Sequence, residues 1–172
     1  MITGERFAEQ AVNGGYLGIP YETLDCQAFV EKVLRDCGVR KSNGTYYDWR
    51  GSNSMYRNYL SWRGTIKEAE KQFGIIPQGA LLFTVAHDGG EKERGYNDEL
   101  GNAKHVGIYL GNPHGSIHST TGGVQFSPFP AKRWTHIGLL EMIDYTGRNV
   151  HNNTKEEILS LLDKIRGLVN DL

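Results

Sequence analysis

Three side chains in this sequence combine the residue types that acyl-transfer chemistry needs: Cys26, His105 and His118. Cys26 opens an amphipathic stretch, Asp25 to Gly38, in which Val30, Val33, Leu34 and Cys37 repeat at helical spacing. Asp25 is the expected N-cap and Gly38 the expected C′ glycine. A thiol in the first turn of a helix faces unpaired backbone N–H groups and the positive end of the dipole, and both favour thiolate. The apolar stripe accounts for Cys37 but not for Cys26, which precedes it. A lone cysteine is most often a small buried hydrophobe, so a nucleophile reading also requires a base and a group that orients the base.

The segments around the two histidines supply both by a parity argument. In His105-Val106-Gly107-Ile108-Tyr109-Leu110, a strand buries Val106, Ile108 and Leu110 on one face and leaves His105, Gly107 and Tyr109 on the other. If Ile117 joins the apolar face of the returning strand, His118 falls on the face of His105. A four-residue turn, Gly111 to His114, sets the two imidazoles diagonally across the ladder. Gly107 removes bulk where another backbone, such as the cysteine helix, could approach. Three readings compete for this pair. His105, His118 and Cys26 could ligate zinc with His87, Asp88 or His114 as fourth ligand, but no tight Cys-x-x-Cys or His-x-x-x-His spacing supports it. Two structural histidines are the second reading. The favoured third is a thiolate with one imidazole as base and the other orienting it.

The elements that must position these groups fit one domain of ordinary size. The chain has 172 residues, 38% hydrophobic and 23% charged, with a net charge of −1. This balance argues against a polyanion-binding surface, so no nucleic-acid partner is expected. No apolar run approaches the ~20 residues of a membrane span. The 22 glycines predict a turn-rich, strand-containing fold rather than a helical bundle. Thr3 can cap a first helix carrying Phe7, Ala8, Ala11 and Val12, ended by Gly14-Gly15. Residues 40–73 are polar and aromatic, with short helices expected around 53–61 and 66–73. Strands are expected at 80–85, 105–110, 116–120 and 124–126 and within 137–145. Helices mostly precede strands, which predicts an α+β class with an antiparallel sheet. Within one helix the two cysteines would be roughly 16 Å apart, well beyond the ~7 Å limit for a disulfide, so both thiols should be free.

A polar linker is expected at 147–153, and the spacing of Thr154 and Glu157 predicts a capping box ahead of a broad apolar stripe ending at Leu172. Such a helix must dock. Its own domain is the preferred surface, with a partner protein or self-association as alternatives. The rings of Tyr46, Tyr47, Trp49, Tyr56, Tyr59 and Trp62 could line a groove, but packing an irregular segment is the favoured role. The charged loop 91–99 is expected to be solvated and mobile, with a lid role open to it. The first residues carry an acidic charge and no apolar core of a signal peptide, which predicts synthesis in a cytoplasm without secretory processing.

Several blocks resemble a known family. Leu24-Asp25-Cys26-Gln27-Ala28-Phe29-Val30 resembles the Asp-Cys-Ser-Gly-(Phe/Leu)-Val signature of the NlpC-type (NlpC/p-sixty) papain-like cysteine peptidases of bacterial cell walls. Pro77-Gln78-Gly79-Ala80-Leu81-Leu82-Phe83 is similar to that family's Pro-Gly-Asp-Leu-Val-Phe-Phe segment, and His105 to Gly111 to its His-Val-Gly-Ile-Tyr-Leu-Gly strand. Ile117-His118-Ser119 stands where the family has its third catalytic polar residue. The matched blocks span about Pro20 to Tyr145, in family order. The resemblance implies a papain-like NlpC-type fold over residues 1–146, with an extra helix beyond. It makes Cys26 the nucleophile, His105 the base and His118 the group that holds His105. Tyr21 and Asp25 become substrate-binding candidates beside Gln27, and neither cofactor nor metal is expected. The implied substrate is the peptidoglycan stem peptide, cut between the γ-carboxyl of D-glutamate and a diamino acid. The sequence departs from the family in lacking Trp-Gly-Gly after Tyr21, in Gln27 and Ala28 where Ser and Gly are usual, and in its insertions at 40–73 and 87–104.

The expected activity is therefore amide hydrolysis in cell wall, with delivery by a phage or tail-like machine in place of secretion. The alternatives are a binding or tail-assembly protein on the same scaffold, and an amidase or acyltransferase acting on another acyl group.

Overall fold

A computed structural model describes residues 1–146. The chain begins with β1 (Ile2–Thr3) and α1 (Gly4–Asn13), whose first turn is capped by the Thr3 hydroxyl accepting the Arg6 N–H at 3.3 Å. Phe7, Ala8 and Ala11 form the buried stripe that the spacing predicts. Next comes α2 (Cys26–Asp36), where Asp25 accepts the Ala28 N–H at 2.8 Å. Gly38 follows the helix at φ 76°, the left-handed conformation of a C′ glycine.

The segment 40–73 holds α3 (Ser52–Asn58), β2 (Leu60–Thr65) and α4 (Ile66–Phe73). Sequence reasoning expected helix through residue 61 and no strand here. The chain leaves the helix at Tyr59 because 60–65 pairs antiparallel with a later strand, and an edge strand whose only apolar residues are Leu60 and Trp62 carries little hydrophobic signal. The thread continues through β3 (Leu81–Ala86), the short α5 (Gly90–Glu93), β4 (Asn102–Gly111), β5 (Gly115–Thr120), β6 (Gly123–Ser127), β7 (His136–Leu140) and β8 (Ile143–Asp144). The single strand region expected at 137–145 is broken at Glu141–Met142, after which β8 turns away to pair in parallel with β1.

Six strands form one antiparallel sheet in the order β2-β7-β3-β4-β5-β6, which makes the fold α+β. Phe29, Val30, Val33 and Leu34 of α2 share one core with Leu81, Phe83, Val106, Ile108, Ile117 and Ile137 of the sheet. The topology has a consequence for the histidine strands. The connection from β6 to β7 must pass β5, β4 and β3, so residues 128–135 lie along the sheet. Hydrogen bonds pin that connection to β3, among them Thr135 N–H to Phe83 O, Val85 N–H to Thr135 Oγ1, and Thr84 Oγ1 to Arg133 O.

Within the described residues no helix is long and apolar enough to cross a membrane. The linker from 147 and the amphipathic helix expected at 154–172 lie outside the described residues.

Candidate functional site

The parity argument for the histidines matches the observed register. Ile108 pairs with Ile117 across β4 and β5, and His105 Nε2 lies 2.7 Å from His118 Nδ1. One of these nitrogens donates and the other accepts, so the two imidazoles form a relay. His118 has no exposed surface. Trp134, from the β6–β7 connection, stacks on His105 with centroids 5.5 Å apart and 16° between planes, and meets His118 edge-on at 5.2 Å. That indole, not the cysteine helix, fills the space opened by Gly107. A Cβ at 107 would fall 2.8 Å from Trp134 Cη2, 2.9 Å from His118 Cβ and 3.1 Å from Ile117 O.

Cys26 sits at the start of α2 with 6% of its surface exposed. The β4–β5 pairing runs from Gly111↔Gly115 to Ile108↔Ile117 and stops before the histidines. The backbone N–H groups of Val106, the residue after His105, and of Gln27 bear on the sulfur and pull it toward thiolate. The Tyr21 hydroxyl points at the sulfur from 3.9 Å. Ser119 donates to Leu24 O at 2.5 Å, tying the approach to the helix onto the strand that carries His118. The structure thus joins the two histidines to each other and sets the thiol against the strand of His105. Among the described residues no hydrogen bond links Cys26 directly to His105.

The charge states follow from burial. Desolvation pushes the Cys26 thiol above its ordinary range, and this outweighs the pull of the Val106 N–H, the Tyr21 hydroxyl and the Gln27 N–H toward thiolate. Burial therefore overrides the helix-start argument for a thiolate. Burial also lowers both imidazoles to about 4, with the Arg133 guanidinium acting in the same direction on each and His105 adding to the effect on His118. Burial beside the sulfur pushes the Tyr21 phenol up to about 12, so it stays a hydrogen-bond donor.

The remaining candidates have local roles. Asp25 is exposed at the cap of α2. The Gln27 amide donates to Glu31 Oε1 at 2.9 Å and to the Trp49 carbonyl, while the Trp49 N–H donates to the same Glu31 oxygen. Trp49 and Tyr56 are buried, and Tyr47, Trp49 and Tyr59 pack ring against ring, so these aromatics fill space. Tyr46 is half-buried and packs against the guanidinium groups of Arg35 and Arg40.

The charged loop 91–99 lies within a segment, 87–104, that is tied down on both sides of it. Arg57 forms a two-point ion pair with Asp98 and donates to Gly101 O, and buried Asn53 pairs with Asn102 and the Ala103 N–H. Lys104 pairs with Asp88.

Among the described residues no group of three or more His, Cys, Asp or Glu side chains could hold a metal. An open groove of about 370 Å³ lies elsewhere, lined by Trp62, Arg63, Glu68, Lys71 and Gln72, and holds neither thiol nor imidazole.

Sequence reasoning did not single out Arg133 or Trp134. Arg133 Nη1 lies 3.3 Å from His118 Nε2. Their only sequence signal is a basic-aromatic run, Lys132-Arg133-Trp134, and its relation to His118 depends on the strand crossover. No protein-family model matches the chain, and neither a curated protein nor a solved structure matches it.

Proposed function

We propose that this protein is a thiol hydrolase of the NlpC type that cleaves an amide bond in peptidoglycan stem peptides, with Cys26 as nucleophile, His105 as base and His118 orienting it. The observation that carries the reading is the 2.7 Å contact between His105 Nε2 and His118 Nδ1, made beside the strand position whose N–H meets a helix-start thiol. With Nε2 engaged by His118, Nδ1 is the nitrogen of His105 left to take the thiol proton.

Sulfur then adds to the carbonyl carbon, and the N–H groups at the start of α2 receive the developing oxyanion. His105 returns the proton to the departing amine, leaving a thioester on Cys26. Water, deprotonated by His105, attacks the thioester and releases the acid. Tyr21, directed at the sulfur, donates to the reacting carbonyl region, and Asp25 at the rim receives a substrate amine. The test is digestion of purified cell wall by the wild-type chain and by Cys26→Ala, with mass spectrometry of the released muropeptides. Release of one new amine and acid pair by the wild type alone supports the reading. Equal inactivity on walls of different peptide chemistry refutes it.

A second reading draws on the thiol itself. Cys26 is almost fully buried, its protonated form is favoured, and among the described residues it has no hydrogen bond to His105. These features suit a binding or tail-assembly protein that retains the scaffold without turnover. Alkylation of Cys26 separates the two, since a protein without turnover has no need for ligand to raise the reactivity of the thiol.

A further inference from the structure

We propose that Arg133 is a positioning residue that holds the His105–His118 pair in the tautomer unable to accept the Cys26 proton, and that a carboxylate on the substrate releases the pair by drawing the guanidinium away. The proposal deepens the hydrolase reading and rests on it for the identity of the substrate.

A guanidinium has donors and no acceptor. With Nη1 of Arg133 3.3 Å from His118 Nε2, that nitrogen must offer its lone pair. Neutral His118 then carries its proton on Nδ1 and donates it across the 2.7 Å contact to His105 Nε2. His105 is left with its one proton on Nδ1. Neither nitrogen of His105 then has a lone pair for the thiol. The positive charge also opposes formation of an imidazolium on either ring, in line with the lowered basicity of both. Neither the ring that covers this pair nor the groups around the thiol carry a charge that relieves the lock. Trp134 covers the rings and Tyr21 remains neutral, while Cys26 on the side of α2 is protonated.

Arg133 is itself exposed, and among the described residues its side chain pairs with no carboxylate. A planar guanidinium in this position is matched to a carboxylate of a bound ligand. A γ-linked D-glutamyl residue carries such a group, its free α-carboxylate, on the acyl side of the scissile amide. Once the guanidinium pairs with it, His118 Nε2 is released. The Nδ1 proton of His118 passes to His105 Nε2, water supplies a proton to His118 Nε2, and the Nδ1 proton of His105 leaves to water. The pair still holds two protons, and His105 Nδ1 now has the lone pair that deprotonates Cys26.

The test uses imidazole nitrogen-15 NMR near neutral pH together with two stem peptides, one with the free α-carboxylate of the γ-linked D-glutamate and one with the α-amide. The unliganded chain is expected to carry the His118 proton on Nδ1, and Arg133→Met to lose that preference. In the Cys26→Ala chain, which cannot turn over, the acid peptide should move the proton to Nε2 and the amide peptide should not. In turnover, the wild type should prefer the acid peptide by about tenfold or more. Arg133→Met should lose that preference and cleave the amide peptide faster than wild type does, while Arg133→Lys keeps part of the preference. A gain of activity is not what loss of a merely structural contact produces. A His118 proton on Nε2 in the unliganded wild type, or an acid peptide that leaves the tautomer unchanged in Cys26→Ala, overturns the proposal. If the wild type turns over neither peptide, the hydrolase reading fails, and the NMR arms still decide the role of Arg133.

Discussion

Gly107→Ala is the sharpest mechanical test of the relay. The added methyl would meet Trp134 Cη2 at 2.8 Å, His118 Cβ at 2.9 Å and Ile117 O at 3.1 Å. All three lie below ordinary van der Waals contact. The carbonyl belongs to the β5 backbone, and His118 is held by its relay, so the indole is the group most able to yield. Overpacking of this kind costs about 1–3 kcal/mol. For a chain of this length each kcal/mol lowers Tm by about 2–4 °C, which gives an expected loss of about 2–12 °C. Displacing a positioning side chain by about 1 Å costs on the order of a hundredfold in rate, so turnover should fall further than stability. Gly122→Ala is the matched control, because its methyl would meet nothing closer than 3.6 Å. Adding Trp134→Phe shortens the ring at the tightest contact, so the double variant should be less destabilised than the sum of the two single changes. Differential scanning calorimetry and kcat on the same preparations make the measurement. A Gly107→Ala chain as stable and as active as Gly122→Ala would show that the packing of indole on the histidine strands does not hold the relay.

Three further outcomes follow from the same geometry. Both imidazoles are held near 4 in the fold against an ordinary value near 6.5, so the unfolded chain binds more protons between these limits. Their contribution to stability is thus fully present above about pH 6.5 and is lost as pH falls toward 4; urea titrations across this range should show a shallower pH slope in His118→Asn than in the wild type. The burial-raised thiol predicts that iodoacetamide modifies Cys26 in the unliganded chain only at pH above the ordinary thiol range of ~8.5, and a rate already at its plateau at pH 7 would contradict this. Asn53→Ala removes the acceptor of the buried Ala103 N–H and should cost about 1–3 kcal/mol, with faster amide exchange through 98–103 as the local readout.

Legibility in the sequence followed the range of the interaction. Thr3, Asp25 and Thr65 act within a few residues of themselves, so the starts of α1 and α2 and the span of α4 could be read directly. The β4–β5 hairpin is local as well. Its alternation fixes which side chains share a face, and that was enough to bring His105 to His118. The strand β2 was missed because its pairing with β7 joins residues more than seventy positions apart. Trp134 and Arg133 were missed for the same reason, since only the crossover from β6 to β7 brings them over His118. The thiol shows the limit of an argument from one end of a helix. The α2 start does offer N–H groups to sulfur, but the burial imposed by the surrounding sheet and turn is a property of the whole fold and acts in the opposite direction.

Gln27 and the segment 40–73, an insertion relative to the resembled family, account for each other. The glutamine stands where the resembled motif has a serine, immediately after the nucleophile position. Its amide joins Glu31, four residues along the same helix face, to the carbonyl of Trp49, and Glu31 in turn takes the Trp49 N–H. A serine is too short to span that distance, so the insertion could not be clamped to α2 in this way without the longer side chain. From Trp49 the constraint continues through packed rings to Tyr59 and through α3 to Arg57 and Asn53, which fasten the second insertion at Asp98, Asn102 and Ala103. The two segments are therefore one mechanical unit, fixed at one end to the helix that carries Cys26 and at the other to the strand that carries His105. A change at position 27 would reach both ends of that unit, which is why this departure at a motif position bears on how thiol and imidazole are held relative to each other.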